Sequence, residues 1–196
     1  MGTAKRDNRV EIRLAGEGGQ GMILAGIILA EAAAIYDGMQ VVQSQSYGPE
    51  ARGGASKSEV ILSSEMIDFP EVIDADILIA LSQEAYDKFA PSLKEEGLLI
   101  IDSDNVLDVN NYNAVSLPIT TIAKETSGRA ITANTVALGG LVAISEVVSE
   151  SAIRQAVSAR APKGTKDMNL SALEAGFKVG YQIKEGETTV IKSRDN

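Results

Sequence analysis

Val10-Glu11-Ile12-Arg13-Leu14-Ala15-Gly16-Glu17-Gly18-Gly19-Gln20-Gly21-Met22 is the stretch on which the fold turns. Val10, Ile12 and Leu14 alternate with Glu11 and Arg13, the period-two pattern of a strand with one apolar and one polar face. Gly16, Gly18 and Gly21 then satisfy G-x-G-x-x-G with Gly19 and Gln20 between them, and Met22 to Tyr36 is almost wholly Ala, Ile and Leu, a helix with hardly a polar stripe. Strand, glycine loop and helix in that order predict a tight turn whose backbone N–H groups, at a helix amino terminus, can hold phosphate oxygens. The bland alternative is a tight turn with no ligand.

Outward from this motif the chain reads as α/β. Ile77 to Leu81 and Leu98 to Ile101 are continuous apolar runs of the kind found in doubly covered parallel strands, with Lys57 to Ser63 and Ala114 to Leu117 as further strands. Ser82 suits the cap of a helix through Gln83 to Phe89, and Pro118 closes the strand before it. Beyond Ser127-Gly128 the pattern turns helical, with helices over Thr135 to Val148, Glu150 to Ala161 and Ser171 to Ile183, and a loop at Pro162-Lys163-Gly164. The expectation is a three-layer α/β/α fold with a mostly parallel sheet, a Rossmann-like glycine loop after the first strand and a helical C-terminal part. One domain is expected over 9–190, with a polar, frayed start at 1–8 and a polar tail at 191–196.

Composition narrows the chemistry. Of 196 residues none is Cys or His, which removes disulfides, thiolate nucleophiles, cysteine-held iron–sulfur clusters, imidazole bases and the usual zinc sites. The 27 acidic against 18 basic residues, net charge -9, oppose nucleic acid or an anionic membrane surface as partner. The apolar run Met22 to Ala30 is far below the roughly 20 residues of a membrane span, and the polar start lacks a secretory core, so a cytoplasmic protein is expected.

A nicotinamide site expects Asp or Glu about 20 residues after the glycine loop, at the end of the second strand. Strand two, Gln40 to Val42, instead runs into Gln43-Ser44-Gln45. Next comes Ser46-Tyr47-Gly48-Pro49-Glu50-Ala51-Arg52-Gly53-Gly54-Ala55-Ser56, too rich in turn residues for a strand or helix, in which one guanidinium stands between glycines and can make paired hydrogen bonds to phosphate. A solvated loop with Arg52 paired to Glu50 or Glu59 is the alternative. Asn134 precedes the apolar helix from Thr135, where capping is the first reading and a place in the site the second. Asp102, Asp104 and Asn105 could form a polar rim, though turn chemistry accounts for them.

Four separated motifs, Gly16 to Gly21, Gln45 to Gly54, Ala80-Leu81-Ser82-Gln83-Glu84-Ala85 and Asn134-Thr135-Val136-Ala137-Leu138-Gly139, together resemble the gamma subunit of 2-oxoacid:ferredoxin oxidoreductases over roughly Val10 to Val148, most of all the 2-oxoglutarate enzymes, with the pyruvate, branched-chain and indolepyruvate enzymes as close alternatives. The resemblance implies one chain of a multisubunit enzyme that decarboxylates a 2-oxoacid, transfers the acyl group to coenzyme A and reduces ferredoxin. Thiamine diphosphate, Mg²⁺ and iron–sulfur clusters would belong to partner subunits, with no cofactor held and no catalytic residue supplied by this chain alone. Coenzyme A would be a co-substrate whose phosphates meet Gly16, Gly18, Gly19, Gln20, Gly21, Ser46, Tyr47, Gly48, Arg52, Gly53, Gly54 and Asn134. A stand-alone dinucleotide-binding oxidoreductase and a purely structural subunit are the competing readings. The apolar helix and the Glu11/Arg13 face of strand one further predict uncovered interfaces and self-association of the isolated chain.

Overall fold

The computed structural model describes residues 9–46, 54–110, 112–186 and 190–191. The expected start at 1–8, the loop residues Tyr47, Gly48, Arg52 and Gly53, and the tail beyond Ile191 lie outside the described residues. The first strand, β1 (Arg9–Glu17), runs through the glycine loop into α1 (Met22–Glu31), whose last turn widens at Ala32–Tyr36 so that Asp37 N–H reaches back five residues to Ala32 O, 3.1 Å. Then follow β2 (Gln40–Ser46), β3 (Ala55–Ser63), β4 (Ala75–Ala80), α2 (Gln83–Phe89), β5 (Leu93–Asp102), β6 (Ala114–Leu117), α3 (Ile119–Ser127), α4 (Ala133–Ser145), α5 (Glu150–Arg160), α6 (Lys166–Lys184) and β7 (Val190–Ile191). Ser82 caps α2, its Oγ accepting from Ala85 N–H. Residue 191 therefore closes a strand rather than opening the tail.

These strands form one sheet in the order β2-β3-β1-β4-β5-β6-β7. Its centre, β1, β4, β5 and β6, is parallel, as the apolar runs predict. The sheet as a whole is mixed, because β2 and β3 pair antiparallel with each other, β3 pairs antiparallel with β1, and β7 with β6. Strands and helices thus do not alternate strictly: β2 and β3 are consecutive strands that pair antiparallel with each other. α3, formed directly after Pro118, is a further helix that the sequence pattern left as connection.

Alternation along the central strands builds two cores. Ile77, Ile79 and Ile100 join Ile12 and Leu14 beneath α1, α4 and α6, whereas Leu78, Ala80, Leu99 and Ile101 meet Tyr86 and Phe89 of α2 on the other face. The three layers are therefore unequal, with most helices on one side. There α4 is buried from Ala133 through Ala143 and crosses α6 at backbone distance: a Cβ on Gly139 would come within 2.3 Å of Leu173 O, and one on Gly176 within 2.2 Å of Val136 O. No helix among the described residues is long and apolar enough to cross a membrane.

The polar face of β1 is not an open interface. Arg13 is 3% exposed; its guanidinium meets Glu59 Oε1 at 2.7 Å, Ser92 Oγ, and the carbonyls of Val72 and Ile73 at 3.1 and 3.3 Å, and it lies 5.6 Å from the centre of the Phe89 ring. Arginine tolerates burial here because its five donors find acceptors and its charge a partner. α1 likewise finds most of its cover within the chain, with Leu24 and Ile35 left exposed.

Candidate functional site

All four central strands end at one rim, and the glycine loop closes the first of them. Gln20 fixes its shape: its Oε1 accepts from Glu17 N–H at 2.7 Å and its Nε2 donates to Leu81 O at 3.1 Å, tying the loop to the end of β4. Gly16 is glycine because a Cβ would fall 2.5 Å from Gln20 Oε1 and 3.1 Å from Met22 Cγ, and its carbonyl accepts from Ser56 Oγ at 3.1 Å. Gly19 and Gly21 have φ of 97° and 75°, left-handed values that side chains other than glycine's rarely adopt. Gly18 differs from all of these. It has no positive φ, and a Cβ there would meet nothing within 4 Å, so the chain itself does not require glycine at this position.

Gly21 leads into α1 without a side-chain cap, and no acid stands in the first turn. The amino-terminal partial charge of this helix is thus left uncompensated by its own residues. The carbonyl of Gly21 accepts from Asn134 Nδ2 at 3.3 Å. Asn134 does not cap α4, because the short turn Ala130–Thr132 carries helical backbone upstream and leaves Asn134 inside the first turn. It is 5% exposed and continues a polar chain: Thr135 Oγ1 donates to Asn169 Oδ1 at 3.2 Å, and Asn169 Nδ2 donates to Thr165 O at 2.9 Å.

The second loop is anchored at the same rim. The ladder sets Ser46 opposite Lys57, Ser56 opposite Gly16 and Ala55 opposite Glu17, so the hairpin leaves and re-enters the sheet beside the glycine loop. Gly54 has φ of 84°, and Ala55 N–H donates to Glu84 Oε1 at 3.0 Å. Of the residues expected in the site, Gly16, Gly18, Gly19, Gln20, Gly21 and Asn134 are brought together, and Ser46 and Gly54 flank the same rim. Tyr47, Gly48, Arg52 and Gly53 fall outside the described residues.

Ser56, Glu84, Leu81 and the Thr135–Asn169–Thr165 chain were not singled out as site residues from the sequence. The motif Ser82-Gln83-Glu84 was the one signal for Glu84; the turn-rich reading of Ser46 to Ser56 fails at both ends, where Ser46 closes β2 and Ala55 and Ser56 open β3, because ladder pairing outweighs local turn preference, and Asn169 carries no signal, since its role depends on the α4–α6 crossing. Gln43 holds Ser44 O at 3.0 Å and Ser58 Oγ at 2.9 Å. Its identity is not what counts against a nicotinamide site: the antiparallel β3 lies between β2 and β1, so β2 does not adjoin β1 to present a ribose-holding acid. Asp102 is fully buried; it accepts from Asp104 N–H and Asn105 Nδ2 within its own turn, as expected, and also from Thr120 N–H and Oγ1 at the start of α3, a contact that turn chemistry does not cover.

Displaced ionisations lie mostly away from the rim. On the outer face of α5 and α6, hydrogen bonds from Tyr181 and Arg154 hold the Glu150 carboxyl below the usual range, the same contact raises Tyr181, and Glu174 beside it raises Arg154. Burial raises Tyr86, whose hydroxyl donates to Asn110 O at 2.8 Å. No three His, Cys, Asp or Glu side chains gather as a metal-binding group among the described residues.

The strand-end rim is built of backbone and amide groups on an α/β sheet, in a chain without cysteine or histidine. The sequence model for pyruvate ferredoxin/flavodoxin oxidoreductase matches residues 11–179. The chain belongs to that family, as a gamma subunit of a 2-oxoacid:ferredoxin oxidoreductase. It is 50% identical over 182 residues to the 2-oxoglutarate synthase subunit KorC of Methanocaldococcus jannaschii, covering 89% of this chain and 96% of that protein. The solved gamma subunit of the keto/oxoacid ferredoxin oxidoreductase of Geobacter sulfurreducens is 52% identical, with a TM-score of 0.80 over 87% of this chain and 95% of its own. The 2-oxoglutarate:ferredoxin oxidoreductase of Magnetococcus marinus, solved with 2-oxoglutarate, coenzyme A and succinyl-CoA bound, is 26% identical, with a TM-score of 0.81 over 89% of this chain and 31% of that chain.

Proposed function

We propose that this chain is the gamma subunit of a cytoplasmic 2-oxoglutarate:ferredoxin oxidoreductase and that its rim holds the phosphates of coenzyme A. In this reading residues 9–190 act as one gamma-type domain. The observation that carries it is Gly18: neither backbone conformation nor crowding inside the chain calls for glycine, and the remaining reason for a bare backbone there is the close approach of a ligand. The uncapped start of α1, with no acid in its first turn, suits an anion. Gly16, Gly19, Gln20 and Gly21 shape the loop, and Asn134 holds its carboxyl-terminal end. Ser46, Tyr47, Gly48, Arg52, Gly53 and Gly54 form the second half of the cradle, with the Arg52 guanidinium meeting phosphate.

Other subunits hold thiamine diphosphate with its Mg²⁺ and the iron–sulfur clusters, in keeping with a chain that has no Cys. Those groups supply decarboxylation and electron transfer to ferredoxin; this chain's part is to bind and orient the acyl acceptor. The identity with KorC favours 2-oxoglutarate as the 2-oxoacid.

The test uses the intact complex. Gly18→Val and Arg52→Ala should raise KM for coenzyme A about tenfold or more while thiamine-dependent decarboxylation without coenzyme A stays unchanged. Unaltered KM in both variants overturns the coenzyme A assignment and leaves the chain a structural subunit. Activity with pyruvate or a branched-chain 2-oxoacid in place of 2-oxoglutarate overturns the substrate.

A further inference from the structure

The segment Ser64 to Asp74, joining β3 to β4, leaves the sheet at the end opposite the glycine rim. It carries Glu65, Asp68, Glu71 and Asp74 and no Lys or Arg. Within it Met66 is 83% exposed, Ile73 66% and Phe69 49%. An isolated exposed apolar residue is ordinary, but three large ones on one short connection form a patch of the kind that marks an interaction site.

The connection is held firmly. Arg13 reaches from β1 to the carbonyls of Val72 and Ile73, Arg9 Nη2 donates to Glu71 O at 3.2 Å, and Val72 is buried with Ile61 and Ala75. Two cations from the first strand thus fix backbone whose neighbouring side chains face solvent, an arrangement that lowers the entropy lost on binding. Beside the connection lies a groove of about 850 Å³ lined by Met66, Phe69 and Leu98 and by charged groups of both signs, among them Asp68, Arg9 and Lys94. A partner can therefore both receive these side chains and enter the groove.

Charge decides between occupants. Asp68, Glu71 and Asp74 are exposed and make no ion pair among the described residues, so the connection itself favours an occupant that brings cations. A second copy of this patch would set like charge against like, in a chain already at -9. We propose that Ser64 to Asp74 docks another subunit of the same complex, which presents an apolar hollow for Met66, Phe69 and Ile73 ringed by Lys or Arg. This inference rests on the chain's being a subunit and is independent of the coenzyme A assignment, which concerns the opposite end of the sheet.

The complex, purified through a tag on another subunit, tests it. Two variants are compared with the parent: Met66→Ser/Phe69→Ser/Ile73→Ser, and Asp68→Lys/Glu71→Lys/Asp74→Lys. Native mass spectrometry should show the share of complexes retaining this chain falling about tenfold or more in both, with a steeper loss in the parent as salt is raised. Far-UV circular dichroism of the full-length variant chains checks folding. Should the serine variant fail to fold, the charge variant, which alters only exposed acids, decides alone. Full retention of the charge variant overturns the proposal, as does a loss of self-association in these variants with assembly intact, which would assign the patch to a second copy. KM for coenzyme A in complexes that retain the chain should be unchanged.

Discussion

Asn134 Nδ2 donates to the carbonyl oxygen of Gly21 at 3.3 Å, joining the first turn of α4 to the end of a glycine loop more than a hundred residues earlier. The same amide leaves no space for a Cβ at Gly21, which would fall 2.8 Å from Nδ2. Asn134→Ala should lower the stability of the chain by about 1–2 kcal/mol, the cost of a lost buried hydrogen bond. In the assembled enzyme it should raise KM for coenzyme A about fivefold with little change in kcat, since loop position and not chemistry is altered. Urea denaturation and steady-state kinetics read the two effects separately.

Gly16 and Gly18, two residues apart, should respond in opposite ways. Gly16→Ala drives a methyl group against Gln20 Oε1 and Met22 Cγ and should cost about 1–3 kcal/mol of stability. Gly18→Ala meets open space and should stay within about 0.5 kcal/mol of the parent while weakening coenzyme A binding. Thermal melts of the chain paired with coenzyme A titration of the complex give the comparison.

The α4–α6 crossing should be the least forgiving contact in the helical layer. Gly176→Ala places its Cβ 2.2 Å from the carbonyl oxygen of Val136, a backbone atom that cannot turn aside. A loss of about 3 kcal/mol is expected, visible as a lowered urea midpoint with an unchanged slope.

Arg13→Ala should be as damaging for a different reason. It strips Glu59 of one of two cationic partners, Lys57 at 2.8 Å remaining, and orphans the carbonyls of Val72 and Ile73. Removing one member of a buried ion pair costs about 3–5 kcal/mol, and the surviving Lys57 sets the expectation at the low end. Hydrogen exchange should quicken in the connection Ser64 to Asp74 before it does in the sheet.

Acid and alkali should both act on the outer face of α5 and α6. Hydrogen bonds from Tyr181 and Arg154 depress the folded-state pKa of Glu150, so the stability they contribute is complete above the unfolded carboxylate value and is lost as pH falls through the folded one. Tyr181 is raised by the same contact, so its share is complete below the ordinary tyrosine value and is lost as pH rises through the higher folded one. Because Glu150 is largely solvated the effect is small. Glu150→Gln should flatten the dependence of the melting temperature on pH at both limbs, below about pH 5 and above about pH 10.

The parallel centre and every helix but α3 were legible because their signals are local: apolar runs for β4 and β5, a serine ahead of Gln83, and four glycines between a strand and an apolar helix. Register and order were not. Nothing in Gln40 to Ser63 distinguishes a hairpin from a βαβ crossover except the turn-rich segment between the strands, and that segment reads equally well as a ligand loop. Arg13 likewise has the spacing of a solvent-facing residue; its burial follows from Glu59, Phe89 and Ser92, which only the folded sheet brings near. Asn134 was noticed for its place before a helix, whereas its partner, Gly21, is fixed by α1 and α4 lying side by side.

The insertion of β2 and β3 beside β1 has a consequence for how this rim can be altered. Because Ser56 faces Gly16 and Ala55 faces Glu17 in the ladder, both ends of the second loop are clamped to strand positions rather than to the loop's own contents. A substitution between Ser46 and Ala55 can therefore leave the frame of the glycine turn in place while altering what the second loop offers a ligand.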